Sequence, residues 1–245
     1  MKFIVNGAKG RMGAQIVALL KKEDCPHELL AGVDINAAEG DGYFKSLSCV
    51  TEKADCIIDF SHHSATKEIC EYAVKMGVPV LFATTGQTEE ELEIIKNTAK
   101  DIPVFVSANM SVGIAMLANF AKAAVAAMPD ADIEIVEKHH NRKLDAPSGT
   151  ALLLANEIKK VKTDAEFVCG RSGMGKREKN EIGIHAVRGG GTIGIHEIII
   201  STDSQTITLS HEAHTRELFA EGAVSAASFA AVQPAGFYNM YDMIK

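Results

Sequence analysis

The first hundred residues alternate between two hydrophobic periods, and this alternation constrains the fold more than any other feature of the chain. Five short apolar runs have the length and composition of strands: KFIVN (2–6), LLAGVD (29–34), CIIDF (56–60), VPVLFA (78–83) and IPVFVS (102–107). Between several of them lie segments of helical period. These are RMGAQIVALLKKE (11–23), SATKEICEYAVKM (64–76) with Ser64 as its cap, and TEEELEIIKNTAK (88–100). The last is capped by Thr88 and carries acidic residues in its first turn, where the helix dipole favours them. Strands that are apolar throughout are buried on both faces, as in a parallel sheet. With right-handed crossovers, the first half is predicted to be a doubly wound, Rossmann-type α/β domain.

The pattern changes near residue 110. SVGIAMLANFAKAAVAAM (111–128), SGTALLLANEIKK (148–160) and RELFAEGAVSAASFAAV (216–232) read as helices. ADIEIVEKHH (131–140), IGIHAVR (182–188), TIGIHEIIIST (192–202) and QTITLSHEAH (205–214) read as strands. Short turns are expected at Gly189-Gly190-Gly191 and near Asp203-Ser204. This half is expected to be α+β, with helices packed on a mostly antiparallel sheet. GRSGMGKREKNE (170–181) is expected to be a mobile loop.

Composition excludes several function classes. The net charge of -7 provides no basic field for nucleic acid or an anionic membrane surface. The opening MKFIVNGAKGRMG is expected to be neither a signal peptide nor an anchor, and no apolar run approaches the ~18 residues that span a bilayer. The five cysteines are scattered and lack a CxxC pair, so reduced thiols in the cytoplasm are expected rather than disulfides or a zinc site.

NGAKGRMG (6–13) follows the first strand and opens the first helix. Gly7, Gly10 and Gly13 form G-x-x-G-x-x-G, a variant of the dinucleotide fingerprint. Glycines there permit a sharp turn and let backbone N–H groups approach a pyrophosphate at a helix N-terminus. Asp34 closes the second strand about 20 residues on, where an acid binds ribose hydroxyls. The alternative is an ordinary glycine turn with a surface aspartate. The Asp34 charge opposes the 2′-phosphate of NADPH, and Ile35 and Asn36 supply no guanidinium, although Lys9 and Arg11 offset it in part. NADH is therefore expected to serve at least as well as NADPH. ATTG (83–86) and SANMS (107–111) also follow strands, at the ends where open α/β sheets bind ligands.

KHHNRKLDAPSGTA (138–151) concentrates the titratable chemistry. Pro147 keeps the preceding backbone out of a helix, and Ser148 is a natural N-cap. Backbone N–H groups near Gly149 and Thr150 then make an anion site that suits a carboxylate or phosphate. His139, His140 and Lys143 lie just upstream and can exchange protons or neutralise a carboxylate. Four readings compete. A zinc site is disfavoured because adjacent histidines on a strand point apart. A P-loop is excluded because G-x-x-x-x-G-K-[ST] is absent. A solvated basic loop before a capped helix remains, as does a proton-donating site for a dicarboxylate.

These residues, with DF (59–60), EIGIHAVRGGGTIGIHE (181–197) and the closing GAVSAASF and GFYNMYDM, resemble the 4-hydroxy-tetrahydrodipicolinate (dihydrodipicolinate) reductase family of lysine and diaminopimelate biosynthesis. The resemblance covers essentially the whole chain. It implies a dinucleotide-binding domain of 1–109 and 216–245 and a substrate-binding and oligomerisation domain of 110–215. It also implies a homotetramer formed through the second sheet. Gly7, Ala8, Lys9, Gly10, Arg11 and Met12 match the family's cofactor loop, and Asp34 its ribose-binding acid. Ala83, Thr84 and Thr85 match a Gly-Thr-Thr cofactor loop, with alanine in place of the first glycine. Ser107, Ala108, Asn109 and Met110 match the loop beside the nicotinamide, with methionine where many members carry phenylalanine. His139 matches the proton donor/acceptor and Lys143 a proton donor; which of them protonates the ring stays open. His140, Gly149 and Thr150 match contacts to the dicarboxylate substrate. The implied reaction delivers hydride from NADH or NADPH to ring C4 and a proton to C3. No metal is implied.

Bland roles are expected for His62 and His63 in a polar turn, and packing roles for His185, His196, His211 and His214. Arg171, Lys176 and Arg177 either close over a dicarboxylate or lie in a solvated loop. The rival functions are another nicotinamide-dependent reductase of the same plan and a non-catalytic nucleotide sensor. The acid–base segment argues against a sensor.

Overall fold

The computed structural model describes residues 1–38 and 40–245. The chain divides into two compact units, Met1–Ser111 with Glu217–Lys245, and Val112–Arg216. The first unit begins with β1 (Lys2–Asn6), α1 (Arg11–Leu20), β2 (Glu28–Val33), β3 (Tyr43–Phe44) and β4 (Cys56–Asp59). It continues with α2 (Thr66–Met76), β5 (Val80–Phe82), α3 (Glu89–Thr98) and β6 (Pro103–Val106). Thr88 caps α3 in a reciprocal capping box with Glu91, as its sequence predicts. Ser64 does not cap α2. A single 3₁₀ turn, His63–Ala65, leads into that helix, and the His62 ring accepts from the Ser64 N–H. The tighter turn already engages the first amides, so the cap moves two residues upstream.

The second unit contains α4 (Val112–Ala127), β7 (Asp132–His139), α5 (Gly149–Lys159), β8 (Glu166–Cys169), β9 (Glu181–Arg188), β10 (Gly194–Ser201) and β11 (Thr206–Ala213). Its sheet runs β11-β10-β7-β9-β8. β10 pairs antiparallel with both β11 and β7, whereas β7/β9 and β8/β9 are parallel. The expected turn near Asp203-Ser204 closes the β10–β11 hairpin, with the Thr202 N–H donating to Gln205 O at 2.8 Å. The Gly189–Gly191 segment is not a hairpin turn. β7 lies between β9 and β10, so the glycines cross over its carboxyl end. The crossing is tied down by Gly189 N to His139 O (2.9 Å) and His140 N to Thr192 O (2.7 Å). Backbone flexibility at Gly190, with φ of 54°, permits this path.

The chain then returns to the first unit with α6 (Glu217–Ala230), β12 (Gly236–Tyr238) and α7 (Met240–Met243). The completed sheet is parallel in every ladder and ordered β12-β6-β5-β4-β1-β2-β3. Residues in the middle of its central strands are fully buried, including Ile4, Ile57, Val80 and Val104. This is the predicted Rossmann-type arrangement, with the order reversing beside β1, where such sheets open a ligand crevice. In the second unit, β7 alternates strictly, and its buried face reads Ile133, Ile135, Glu137, His139. An apolar stripe thus ends in an acid and a base. No helix among the described residues is long and apolar enough to cross a membrane.

Candidate active site

In the first unit, a cleft of about 310 Å³ opens at the carboxyl ends of β1, β2 and β4, lined by Gly7, Gly10, Asp34, Lys45, Ser61 and His62 among others. Gly7 has φ of 79°, and a Cβ there would stand 2.5 Å from the Phe60 carbonyl oxygen. A Cβ on Gly13 would overlap the Gly7 carbonyl. The glycine spacing is therefore a steric requirement of the loop, and it leaves a cradle that fits a dinucleotide. Gly10 starts α1 with no side-chain cap bond. Asp34 accepts from the backbone N–H groups of Lys9 (3.0 Å) and Asn36 (2.9 Å), which fixes its carboxylate at the rim of the cleft. The Lys9 ammonium sits 4.0 Å above the Tyr43 ring, and Lys45 is a cation on the cleft wall. Ala8 is buried, Met12 is partly buried, and Arg11 is exposed.

A buried carboxylate, Asp59, joins the loops at this edge. It accepts from Asn6 Nδ2 (2.8 Å), Ser61 N (3.2 Å), Ser61 Oγ (2.5 Å) and Thr84 Oγ1 (2.6 Å). Burial raises its pKa despite those donors. Ala83 N donates to Asp59 O at 3.0 Å, which places the ATTG segment, and Thr85 is exposed beyond it. Ser107 Oγ donates to Asn109 O at 2.7 Å, while Ala108 is exposed and Met110 is buried.

In the second unit, β7 and the N-terminus of α5 assemble the titratable groups. Glu137 is fully buried and accepts from His139 Nδ1 at 2.5 Å. It also takes a bidentate pair from Arg188 (2.7 and 2.8 Å) and the Ser148 N–H (3.0 Å). Burial alone would raise its carboxyl, but hydrogen bonds from Arg188, His139 and Ser148 outweigh burial and hold it below the usual range. His196 from β10 lies edge-on to His139 at 5.2 Å, and its Nε2 is 3.3 Å from Ser148 Oγ. Burial, and then the neighbouring His139, lower the His196 pKa to about 4, so this ring is neutral at pH 7. Gly194 lies beside the other nitrogen of His139, and a Cβ on it would stand 3.1 Å from Nε2.

Ser148 caps α5 by accepting from the Ala151 N–H at 3.2 Å. The Ala146–Pro147 peptide is cis. Lys143 Nζ pairs with Asp145 Oδ1 at 2.9 Å. Asp145 is held below the usual carboxylate range by the Lys143 hydrogen bond and, in smaller part, by the Gly149 N–H. The expected anion site at the helix start therefore already faces an internal carboxylate. His140 is partly buried, and burial, with cationic neighbours, lowers its pKa. His139 and His140 point to different environments, and no cluster of metal-binding side chains occurs among the described residues.

Several groups escaped the sequence reading. Glu137 and His139 share a strand face by period two, which is a usable signal, but Arg188 and His196 arrive from other strands. Lys45 lies 11 residues beyond Asp34 and carries no motif. Arg171 and Arg177 do not present free guanidinium groups. Arg171 pairs with Glu181 at 2.6 Å, and Arg177 pairs with Asp132 at 2.9 Å and with Glu134 at 3.1 Å. They pin the basic loop to its own sheet.

Residues 1–110 match the model of the dihydrodipicolinate reductase N-terminus, and residues 113–244 match that of its C-terminus. The chain belongs to the dihydrodipicolinate reductase family. A 4-hydroxy-tetrahydrodipicolinate reductase of Caldanaerobacter subterraneus subsp. tengcongensis is 46% identical, across 100% of this chain and 98% of that one. One from Clostridium tetani is 41% identical, across 100% and 97%. Among solved structures, a dipicolinate-bound dihydrodipicolinate reductase from Paenisporosarcina sp. TG-14 superposes with a TM-score of 0.83 at 26% identity, covering 98% of this chain and 97% of that one. The reductase family thus accounts for both units.

Proposed function

We propose that this protein reduces 4-hydroxy-tetrahydrodipicolinate to tetrahydrodipicolinate with NAD(P)H, in lysine and diaminopimelate biosynthesis. The observation that carries this reading is the convergence of His139, Lys143 and the Ser148-capped helix start on one end of β7 in a chain that matches the reductase family over its length. Bound nicotinamide supplies hydride to ring C4. Gly7 to Met12 and Asp34 hold the dinucleotide, and Ala83 to Thr85 and Ser107 to Met110 border its nicotinamide end.

The second unit handles the dicarboxylate and the proton. Gly149, Thr150 and His140 bind substrate carboxylates, and Lys143 neutralises one of them. A substrate carboxylate takes over the partners that Asp145 engages in the free protein, exchanging one charge-assisted contact for another. Negative charge moves toward the ring nitrogen as C4 is reduced, and His139 or Lys143 adds the proton at C3. Water leaves from the 4-hydroxy carbon in the overall conversion. Preplaced cations stabilise that charge most in the transition state.

NADH serves at least as well as NADPH, because the anchored Asp34 carboxylate opposes a 2′-phosphate. Lys45 narrows the difference. The protein works in the cytoplasm as a homotetramer joined through the second sheet, whose β11 leaves Ile207 exposed.

The test follows reduced-nicotinamide absorbance while a synthase forms the substrate in place from pyruvate and aspartate semialdehyde. Consumption that requires both proteins, with an NADH rate at or above the NADPH rate, is expected. Absence of consumption by folded protein that binds NADH would contradict the reading. Light scattering checks the tetramer.

A further inference from the structure

We infer that Glu137 is a positioning residue that holds the Nδ1 proton of His139, leaving Nε2 as the working nitrogen, with Arg188 as its anchor. The inference deepens the proposed function, since it assigns a support to His139, one of the two proton donors of that reading. Three observations lead to it. Glu137 has no exposed surface, yet it carries a charge-bearing group on the buried stripe of β7. Both of its oxygens are fully used: Oε2 accepts from His139 Nδ1 and Arg188 Nη1, and Oε1 accepts from Arg188 Nη2 and the Ser148 N–H. Finally, the opposite nitrogen of His139 faces Gly194, where any side chain would crowd it.

A carboxylate beside Nδ1 can only accept, so neutral His139 must carry its proton there. The same carboxylate accepts the Nδ1–H of the imidazolium, so it supports the proton-loaded form as well. Arg188 is itself fixed, donating to the Asp145 carbonyl at 2.6 Å and the Val187 carbonyl at 2.8 Å. It therefore links the buried pair to the loop that carries Lys143. The other titratable groups around His139 are His196 from β10 and His140 and Lys143 from the loop. None of them offers an anionic acceptor.

Glu137→Gln separates this role from simple packing. If the new amide nitrogen replaced Oε1, it would face two fixed donors, Ser148 N–H and Arg188 Nη2. In the Oε2 position it faces one fixed donor and His139, which can accept by moving its proton to Nε2. The second arrangement costs less, so the substitution flips the tautomer and disfavours the imidazolium.

The experiment is ¹⁵N NMR of histidine-labelled protein, with His139 assigned by its loss in His139→Gln, together with pH–rate profiles. In the native protein, neutral His139 is expected to be protonated on Nδ1. In Glu137→Gln the proton moves to Nε2, turnover falls by about 10²-fold at pH 7, and the loss of activity on raising pH begins at lower pH. The KM for NADH stays within about twofold, as expected for an interaction outside cofactor binding. An Nε2–H tautomer in the native protein, or an unmoved pH limb in folded Glu137→Gln, overturns the inference. If the variant fails to fold, the native tautomer alone decides. A protein that shows the Nδ1–H tautomer but no reductase activity would remove the proposed reaction and support the pairing.

Discussion

Asp59 in the first unit and Glu137 in the second are buried carboxylates, and the two are held in opposite ways. Asp59, 1% exposed, receives hydrogen bonds from an amide side chain, a backbone amide and two hydroxyls, all neutral, and burial wins by raising its pKa. Glu137, with no exposure, receives a guanidinium fork, an imidazole and a backbone amide, and these win by lowering its pKa. Burial by itself therefore does not decide how a carboxylate behaves; the kind of donor does. Neutral hydroxyls can turn round and accept, whereas a guanidinium cannot. The cleft of the first unit is accordingly shaped by glycine sterics and adaptable polar groups, and the Glu137–His139 site of the second by fixed charge.

This contrast predicts unequal responses to the same chemical change. Glu137→Gln strands Arg188 and is expected to cost about 3 kcal/mol or more in urea unfolding, as when one partner of a buried ion pair is removed. Asp59→Asn keeps an oxygen for Asn6 and Ser61 and donates to a reoriented Thr84 hydroxyl, so a loss within about 1 kcal/mol is expected. Equal losses would break the comparison. Lys143→Ala is expected to lower turnover by about 10²-fold while leaving the melting temperature nearly unchanged, because its partner Asp145 is solvent-exposed. Near-native turnover would strike Lys143 from the catalytic residues.

His196 sharpens the picture through pH. Its pKa is lowered from 6.5 to about 4, so between those values the unfolded chain binds a proton that the folded chain refuses. Stability is then complete above pH 6.5 and falls as pH drops toward 4. His196→Gln should flatten that slope in denaturation series at fixed salt. The smallest effect belongs to the cleft cation. Lys45→Ala should raise the KM for NADPH by roughly three- to fivefold relative to NADH, the size expected for one exposed charge. Equal changes for both cofactors would remove Lys45 from 2′-phosphate recognition.

What was legible in the sequence follows the same division. The glycine loop could be read because its spacing is set by local clashes, such as that between Gly13 and the Gly7 carbonyl. The long apolar strands could be read because burial on both faces leaves a continuous signal. β3 and β12, of two and three residues, are too short for any period and exist through pairing with β2 and β6. The Gly189–Gly191 crossing was misread because a glycine run between two strands looks alike whether they pair or flank a third. In the acid–base site, the histidines, Lys143 and the Ser148 cap lie within one segment and could be found together. Their support could not, because Arg188 and His196 stand 49 and 57 residues from His139 in sequence and are brought to it by sheet register.

The central claim is that this chain adds hydride and proton to neighbouring carbons of a cyclic imine dicarboxylate. The most direct measurement runs the synthase-coupled reaction with NADH deuterated on the transferable C4 position, and separately in D₂O, and locates deuterium in the product by NMR. The account predicts cofactor-derived deuterium at ring C4 and solvent-derived deuterium at C3. Cofactor deuterium at any other carbon, or none in the product while NADH is consumed, would contradict it.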